Sequence, residues 1–177
     1  SFFSHENNGA LVSDQNYVNG KLDGISLSYD PVTGTLLQRF NYQAGQFHGL
    51  LEIFFPSDGS PSYTGEYLRG LRDGLHTTWR NPGVVLIEET YLEDQLDGPW
   101  RIYRNDGGLS QEGEYTENLK IGTWVRYNAA GLLISRTAYQ AGFRHGVAEY
   151  VDPAGNVSLR ERYRDGFADG LWESFTN

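Results

Sequence analysis

Cysteine and methionine are absent from this 177-residue chain, and proline occurs only six times. Without cysteine there is no disulfide framework, no thiolate metal centre and no thiol nucleophile. No apolar stretch nears the roughly 18 residues that a membrane-spanning helix needs. The run Gly49-Leu50-Leu51-Glu52-Ile53-Phe54-Phe55 is too short and carries a charge. Positive charge is scarce: 14 Lys and Arg against 23 Asp and Glu leave a net charge of −9. A field of that sign repels nucleic acid and anionic membrane alike. What the chain has in quantity is glycine, 22 residues, and aromatic side chains, 14%. With 38% hydrophobic residues it is long and apolar enough to bury a core and is not a disordered chain.

The abundant residues recur at a fixed period. Tyr17, Tyr42, Tyr67, Tyr91, Tyr115, Tyr139 and Tyr163 are spaced by 25, 25, 24, 24, 24 and 24 residues. Positions are numbered below from each repeat tyrosine. Position +7 is always glycine, from Gly24 to Gly170, and −8 is always glycine, from Gly9 to Gly155. Position +12 holds Tyr29, Phe54, Trp79, Tyr103, Tyr127, Val151 and Phe175. The register runs from about Gly9 to Phe175 and leaves no room for a second domain. The chain 1–177 reads as one array: a truncated N-terminal half repeat, six full hairpin repeats from about 17 to 162, and a C-terminal half repeat 163–177.

Each repeat holds two strand-length stretches, and no helical period competes. Asp precedes Gly24, Gly74, Gly98 and Gly170, and Asp-Gly is the strongest two-residue hairpin signal. Position +3 is more telling, with Gly20, Gly45, Gly70, Asp94, Asn118, Gly142 and Gly166, the types that accept positive φ most cheaply. A left-handed turn is expected there in every repeat. Position −6 is mostly apolar and shares a strand face with the tyrosine, whereas −1 and −3 are polar in nearly every repeat, so the tyrosine face is expected to be the core side. Position +9 (Ser26, Leu51, His76, Trp100, Trp124, Ala148, Trp172) does not decide a face. In the sixth repeat Tyr150 slips one place ahead of the aromatic position, which predicts a bulge. Stacked hairpins predict an all-β, elongated, twisted and curled antiparallel sheet of about 14 strands.

The segment Tyr115-Thr-Glu-Asn-Leu-Lys-Ile-Gly122-Thr-Trp124-Val-Arg-Tyr127-Asn-Ala-Ala-Gly131, and likewise Tyr91 to Gly107, resembles the MORN-type repeat, most closely the YwqK-type antitoxin-like family. Asn118 and Asp94 replace that motif's first glycine. The resemblance covers nearly the whole chain. It implies a β-hairpin binding scaffold, with antitoxin or immunity roles in many bacterial members, and it offers no catalytic residue to map.

Chemistry-bearing clusters are few. His5, His48, His76 and His145 are dispersed; His48 and His145 stand where other repeats have Asp before the +7 glycine, and they read as turn residues. Asp14-Gln15-Asn16 begins a calcium-loop spacing, but Val18 stands where an oxygen ligand belongs. There is no Gly-x-Ser-x-Gly, and the glycines are in turn register, so no enzyme, metal, cofactor or small-molecule substrate is expected. The densest feature is acidic: Glu88, Glu89, Glu93, Asp94 and Asp97, followed by Trp100, Glu112 and Glu114. Farther on, the polar face turns basic at Arg136, Arg160 and Arg162. The expected partner surface comprises Glu88, Glu89, Glu93, Asp94, Asp97, Trp100, Glu112, Glu114 and Arg136. It would occlude the active site of a cognate protein toxin or effector that is basic around its cleft. A structural or membrane-associated MORN scaffold and a glycan-binding module are the alternatives. A start at Ser1-Phe2-Phe3 fits a periplasmic or cell-envelope protein after leader removal, with the cytoplasm as the alternative.

Overall fold

The computed structural model describes residues 1–6 and 9–176; Asn7, Asn8 and Asn177, which the sequence reading assigned to the terminal half repeats, lie outside them. The described residues contain no helix, and hence none long and apolar enough to cross a membrane. Seventeen strands belong to one antiparallel sheet, and two short ones form a separate pair. The chain packs as two compact units: Ser1–Val85 with Tyr91–Asp94, and Leu86–Thr90 with Gln95–Asn177.

The N-terminal unit holds β1 (Phe2–His5), β2 (Leu11–Gln15), β3 (Tyr17–Val18), β4 (Lys21–Leu22), β5 (Gly24–Tyr29), β6 (Leu36–Gln43), β7 (Gln46–Phe47), β8 (Gly49–Phe54), β9 (Pro61–Leu68) and β10 (Leu71–Asn81). Strand β11 (Val84–Leu92) contributes residues to both units. The C-terminal unit holds β12 (Gln95–Tyr103), β13 (Leu109–Thr116), β14 (Leu119–Tyr127), β15 (Leu133–Gln140), β16 (Phe143–Val151), β17 (Val157–Arg164), β18 (Phe167–Ala168) and β19 (Glu173–Ser174). The strands outnumber the 14 expected because some runs are interrupted: β4 and β5 are one run broken at Asp23, and β7 and β8 one broken at His48.

The left-handed turn is present in every repeat. Gly20, Gly45, Gly70, Asp94, Asn118, Gly142 and Gly166 have φ between 65° and 86°. The residue before each, from Asn19 to Asp165, is also left-handed, at 48° to 53°. Positive φ at both central residues is the type I′ hairpin, whose twist matches that of the flanking strands. Each tip after the first is tied to the one before it. The +3 N–H donates to the +5 carbonyl of the preceding repeat, as in Gly70 to Phe47 and Asn118 to Leu96, at 2.7 to 2.9 Å. Where +3 is not glycine, its side chain adds a second tie. Asp94 Oδ1 accepts from the Arg72 backbone N–H, and Asn118 Oδ1 from that of Leu96.

The Asp-Gly pairs play a different part from a hairpin turn. Asp73-Gly74 lies inside β10 where the register with β9 shifts between Arg72 and His76, so it forms a bulge. Asp97 instead caps the next tip, with Oδ2 accepting from the Thr116 hydroxyl and the Glu117 N–H. The slip at Tyr150 and Val151 is a bulge as expected, but it is not peculiar to that repeat. The same shift occurs at Tyr29, Phe54, Tyr103 and Tyr127.

Position +9 proves to be the deepest. Leu51, His76, Trp124 and Ala148 are all buried there, on the tyrosine face. Glycine at −2 makes the space in two repeats. Gly65 is paired with both Leu51 and His76, and Gly113 lies opposite Trp100. A Cβ on Gly65 would meet the His76 ring, and one on Gly113 would fall within the Trp124 indole. Position +5 fills the gaps between tyrosines. Phe47 packs on Tyr42 and Tyr67, the Arg72 guanidinium lies 4.0 Å from the Tyr91 ring centroid, and Lys120 Nζ lies 3.9 Å from that of Trp124. Such contacts contribute about 0.5–2 kcal/mol each.

Two outcomes follow from this packing. Gly113→Val should lower unfolding free energy by about 1–3 kcal/mol, read from the urea midpoint, because the indole has no room to retreat. Gly70→Val, at φ 85°, should cost about 1–3 kcal/mol, because a β-branched residue is strained there. An unchanged midpoint for either variant would contradict the corresponding packing account.

Candidate functional site

The polar face of the C-terminal unit is built by register. Because side chains alternate along each strand, −3 and +10 residues meet across neighbouring strands. The pairs run Arg101 with Glu112, Glu112 with Val125, Val125 with Arg136, Arg136 with Glu149, Glu149 with Arg160 and Arg160 with Glu173. Charges alternate along most of this row, so each long side chain finds a counter-ion on the next strand.

Two open depressions lie on this face. One, of about 270 Å³, is lined by Pro99, Arg101, Glu112, Gly113, Glu114, Thr123 and Val125. The other, of about 390 Å³, is lined by Thr123, Arg136, Ala138, Val147, Glu149, Arg160 and Arg162. They share Thr123 and have opposite signs. The first has two carboxylates against one guanidinium, and the second three guanidiniums against one carboxylate.

At the acidic end Arg101 reaches Glu88 at 3.5 Å and Glu112 at 3.6 Å. The Tyr103 hydroxyl donates to Glu88 and the Tyr127 hydroxyl to Glu112, each at 2.8 Å. Burial and the bond to Glu88 push the Tyr103 phenol up to about 12. At the basic end Glu149 is buried between two arginines. Arg136 Nε donates to Oε2, and Arg160 Nε donates to Oε1 at 2.9 Å. Desolvation raises the Glu149 pKa, but the two arginines outweigh it and hold the carboxyl below its usual range. Arg160 also donates to Glu173 at 3.1 Å.

The residues singled out from the sequence do not form one patch. Glu88, Glu112 and Arg136 take part in the charge row, and Glu114 is exposed in the acidic depression. Trp100 is on the opposite, aromatic face, 5.3 Å centroid to centroid from Trp124 and half-buried. Glu89 is half-buried, and its charge adds to the desolvation that raises the Tyr115 pKa. Glu93 and Asp94 belong to the N-terminal unit, as an exposed I′ tip whose Asp94 pairs with Arg72 Nε at 2.9 Å. Asp97 is engaged with Thr116 and Glu117. Trp124 is core and Trp172 is exposed. The acidic run is therefore largely paired internally. Glu149 went unnoticed because it occupies position +10, whose members (Leu27, Glu52, Thr77, Arg101, Val125, Glu149, Glu173) mix apolar, neutral polar, acidic and basic side chains.

No group of three or more metal-ligating side chains converges among the described residues. Neither the known family models nor the curated proteins include a match to this chain.

Glu149→Gln should lower stability by about 1–3 kcal/mol at neutral pH, because two charge-assisted bonds weaken. The folded pKa of Glu149 is depressed, so its contribution is complete above the unfolded value of about 4.3 and is lost as pH falls through the folded value. Acid unfolding of Glu149→Gln should accordingly fall off less steeply below about pH 4 than that of the wild type.

Proposed function

We propose that this chain is a non-enzymatic binding scaffold that neutralises a protein toxin or effector by covering its active cleft. The polar face of the C-terminal unit is the covering surface. The observation that carries this reading is the pair of oppositely charged depressions sharing Thr123. A surface negative at one end and positive at the other favours one orientation of one partner and penalises the reverse. The acidic end, with Glu88, Glu112 and Glu114, would meet a basic rim; the end with Arg136 would meet an acidic one. The resemblance of Tyr115 to Gly131 to the YwqK-type antitoxin-like repeat supports the immunity role. Trp100 is not an anchor in this reading, because it packs on Trp124 across the sheet from the charge row.

The test uses partner proteins recovered by pull-down with the wild-type chain. Glu112→Lys with Glu114→Lys, and separately Arg136→Glu with Arg162→Glu, should each slow association about tenfold and more so at low salt. Cells producing the partner should lose protection. Full protection by both folded variants would place the interface elsewhere. Glycan or liposome binding with no protein captured would favour the alternative roles.

A further inference from the structure

The basic depression carries more positive charge than its own fold consumes. Glu149 engages Arg136 and Arg160, and Glu173 takes a further Arg160 N–H. Arg162 is exposed, and no carboxylate lies within ion-pair distance of it among the described residues. Arg136 is bound to Glu149 through Nε, while 53% of its side chain faces solvent. Guanidinium carries five N–H donors in a planar fork, so Arg136 keeps unspent donors held at a fixed angle by Glu149.

The depression exists because of what stands at position −1. Earlier repeats carry Glu66, Thr90 and Glu114 there, whereas this one carries Ala138. Ala138 pairs with Thr123 and packs under Gly146, leaving a small apolar floor flanked by Val147. A repeat that kept Glu at this place would have filled the hollow and neutralised its charge.

We propose that this depression receives a single carboxylate side chain presented by the partner protein, gripped by Arg136 and Arg162 with its methylenes against Ala138 and Val147. This deepens the function proposed above and rests on it for the identity of the partner as a protein. A carboxylate matches the guanidinium fork in a bidentate fashion. A polyanion is disfavoured: the basic residues form one small patch, and a long anionic strand would have to run over the surrounding surface of a chain whose net charge is −9. A lone acidic residue flanked by neutral or basic ones meets attraction without that penalty.

The test needs no partner. The probe is the α-amide of N-acetylglutamate, with the isosteric glutamine compound as control, titrated into the 177-residue chain and followed by amide chemical shifts. The glutamate probe should saturate near millimolar concentration with shifts at Ala138, Val147 and Glu149, and the glutamine compound should not. Arg162→Gln leaves the Glu149 pairs intact and should weaken binding about tenfold. Arg162→Lys should recover only part of it, since the fork is lost. Equal shifts from the glutamine compound, an unchanged affinity in folded Arg162→Gln, or tighter saturable binding of a short DNA duplex at the same amides would each overturn the proposal. The two readings separate cleanly. If the probe fails but the charge-reversed variants still lose protection, the covering face stands and the carboxylate receptor falls. If the probe binds and those variants still protect, the receptor stands and the covering role falls.

Discussion

The two-residue tip at positions +2 and +3 is the constraint on which the remaining order depends. Left-handed φ at both residues closes the hairpin with the twist of its strands, and it allows no slippage of register. A slip of one residue would exchange the two faces. Tyr115 and Trp124 would then meet water, and Glu112 and Arg136 would enter the aromatic layer. The cost of holding residues such as Arg69 or Glu117 left-handed is offset by the tip-to-tip hydrogen bonds, which recur once per repeat.

Around that constraint the core is thin, so size matching does much of the packing. No large side chain among the described residues is completely enclosed. Trp124 is covered instead by Tyr115, Trp100 and the ammonium of Lys120, over the bare backbone of Gly113. His76 is held likewise by the Tyr63 hydroxyl, the Glu66 carbonyl and the rings of Tyr67 and Tyr91, beside Gly65. Gly65 with His76, and Gly113 with Trp124, are therefore two matched pairs of bare backbone and large ring.

The period, the hairpin array and the left-handed +3 positions were legible because each rests on one residue type, or one small set of types, recurring at one place. The depth of position +9 was not, since serine, leucine, histidine, tryptophan and alanine all serve there and only cross-strand neighbours tell which is enclosed. Position +5 was hidden for the same reason: Phe47, Arg72 and Lys120 do similar work on aromatic rings with different chemistry. The acidic run was visible as a string of letters, but its fate depended on partners far along the chain. Arg101 lies 13 residues from Glu88, and Arg72 lies 22 from Asp94. Sequence density alone could not separate carboxylates that are spent from those that are free. The basic depression turned on a single small residue, Ala138, whose meaning appears only beside Glu149 and its two arginines.

The tip-to-tip bond also bears on how such a chain can change length. Each bond joins a tip only to the one before it, across a near-constant stretch of sequence, as from Gly142 to Lys120 and from Gly166 to Arg144. Excising one whole 24-residue period from within the C-terminal unit leaves a donor and an acceptor of the same kind facing each other, so the seam can heal. Adding one residue inside a tip offers no such repair. Duplication and loss by whole periods are thus the easy steps for this architecture, and the charge row, written one repeat at a time, can be lengthened, shortened or re-signed without redesigning the layer beneath it.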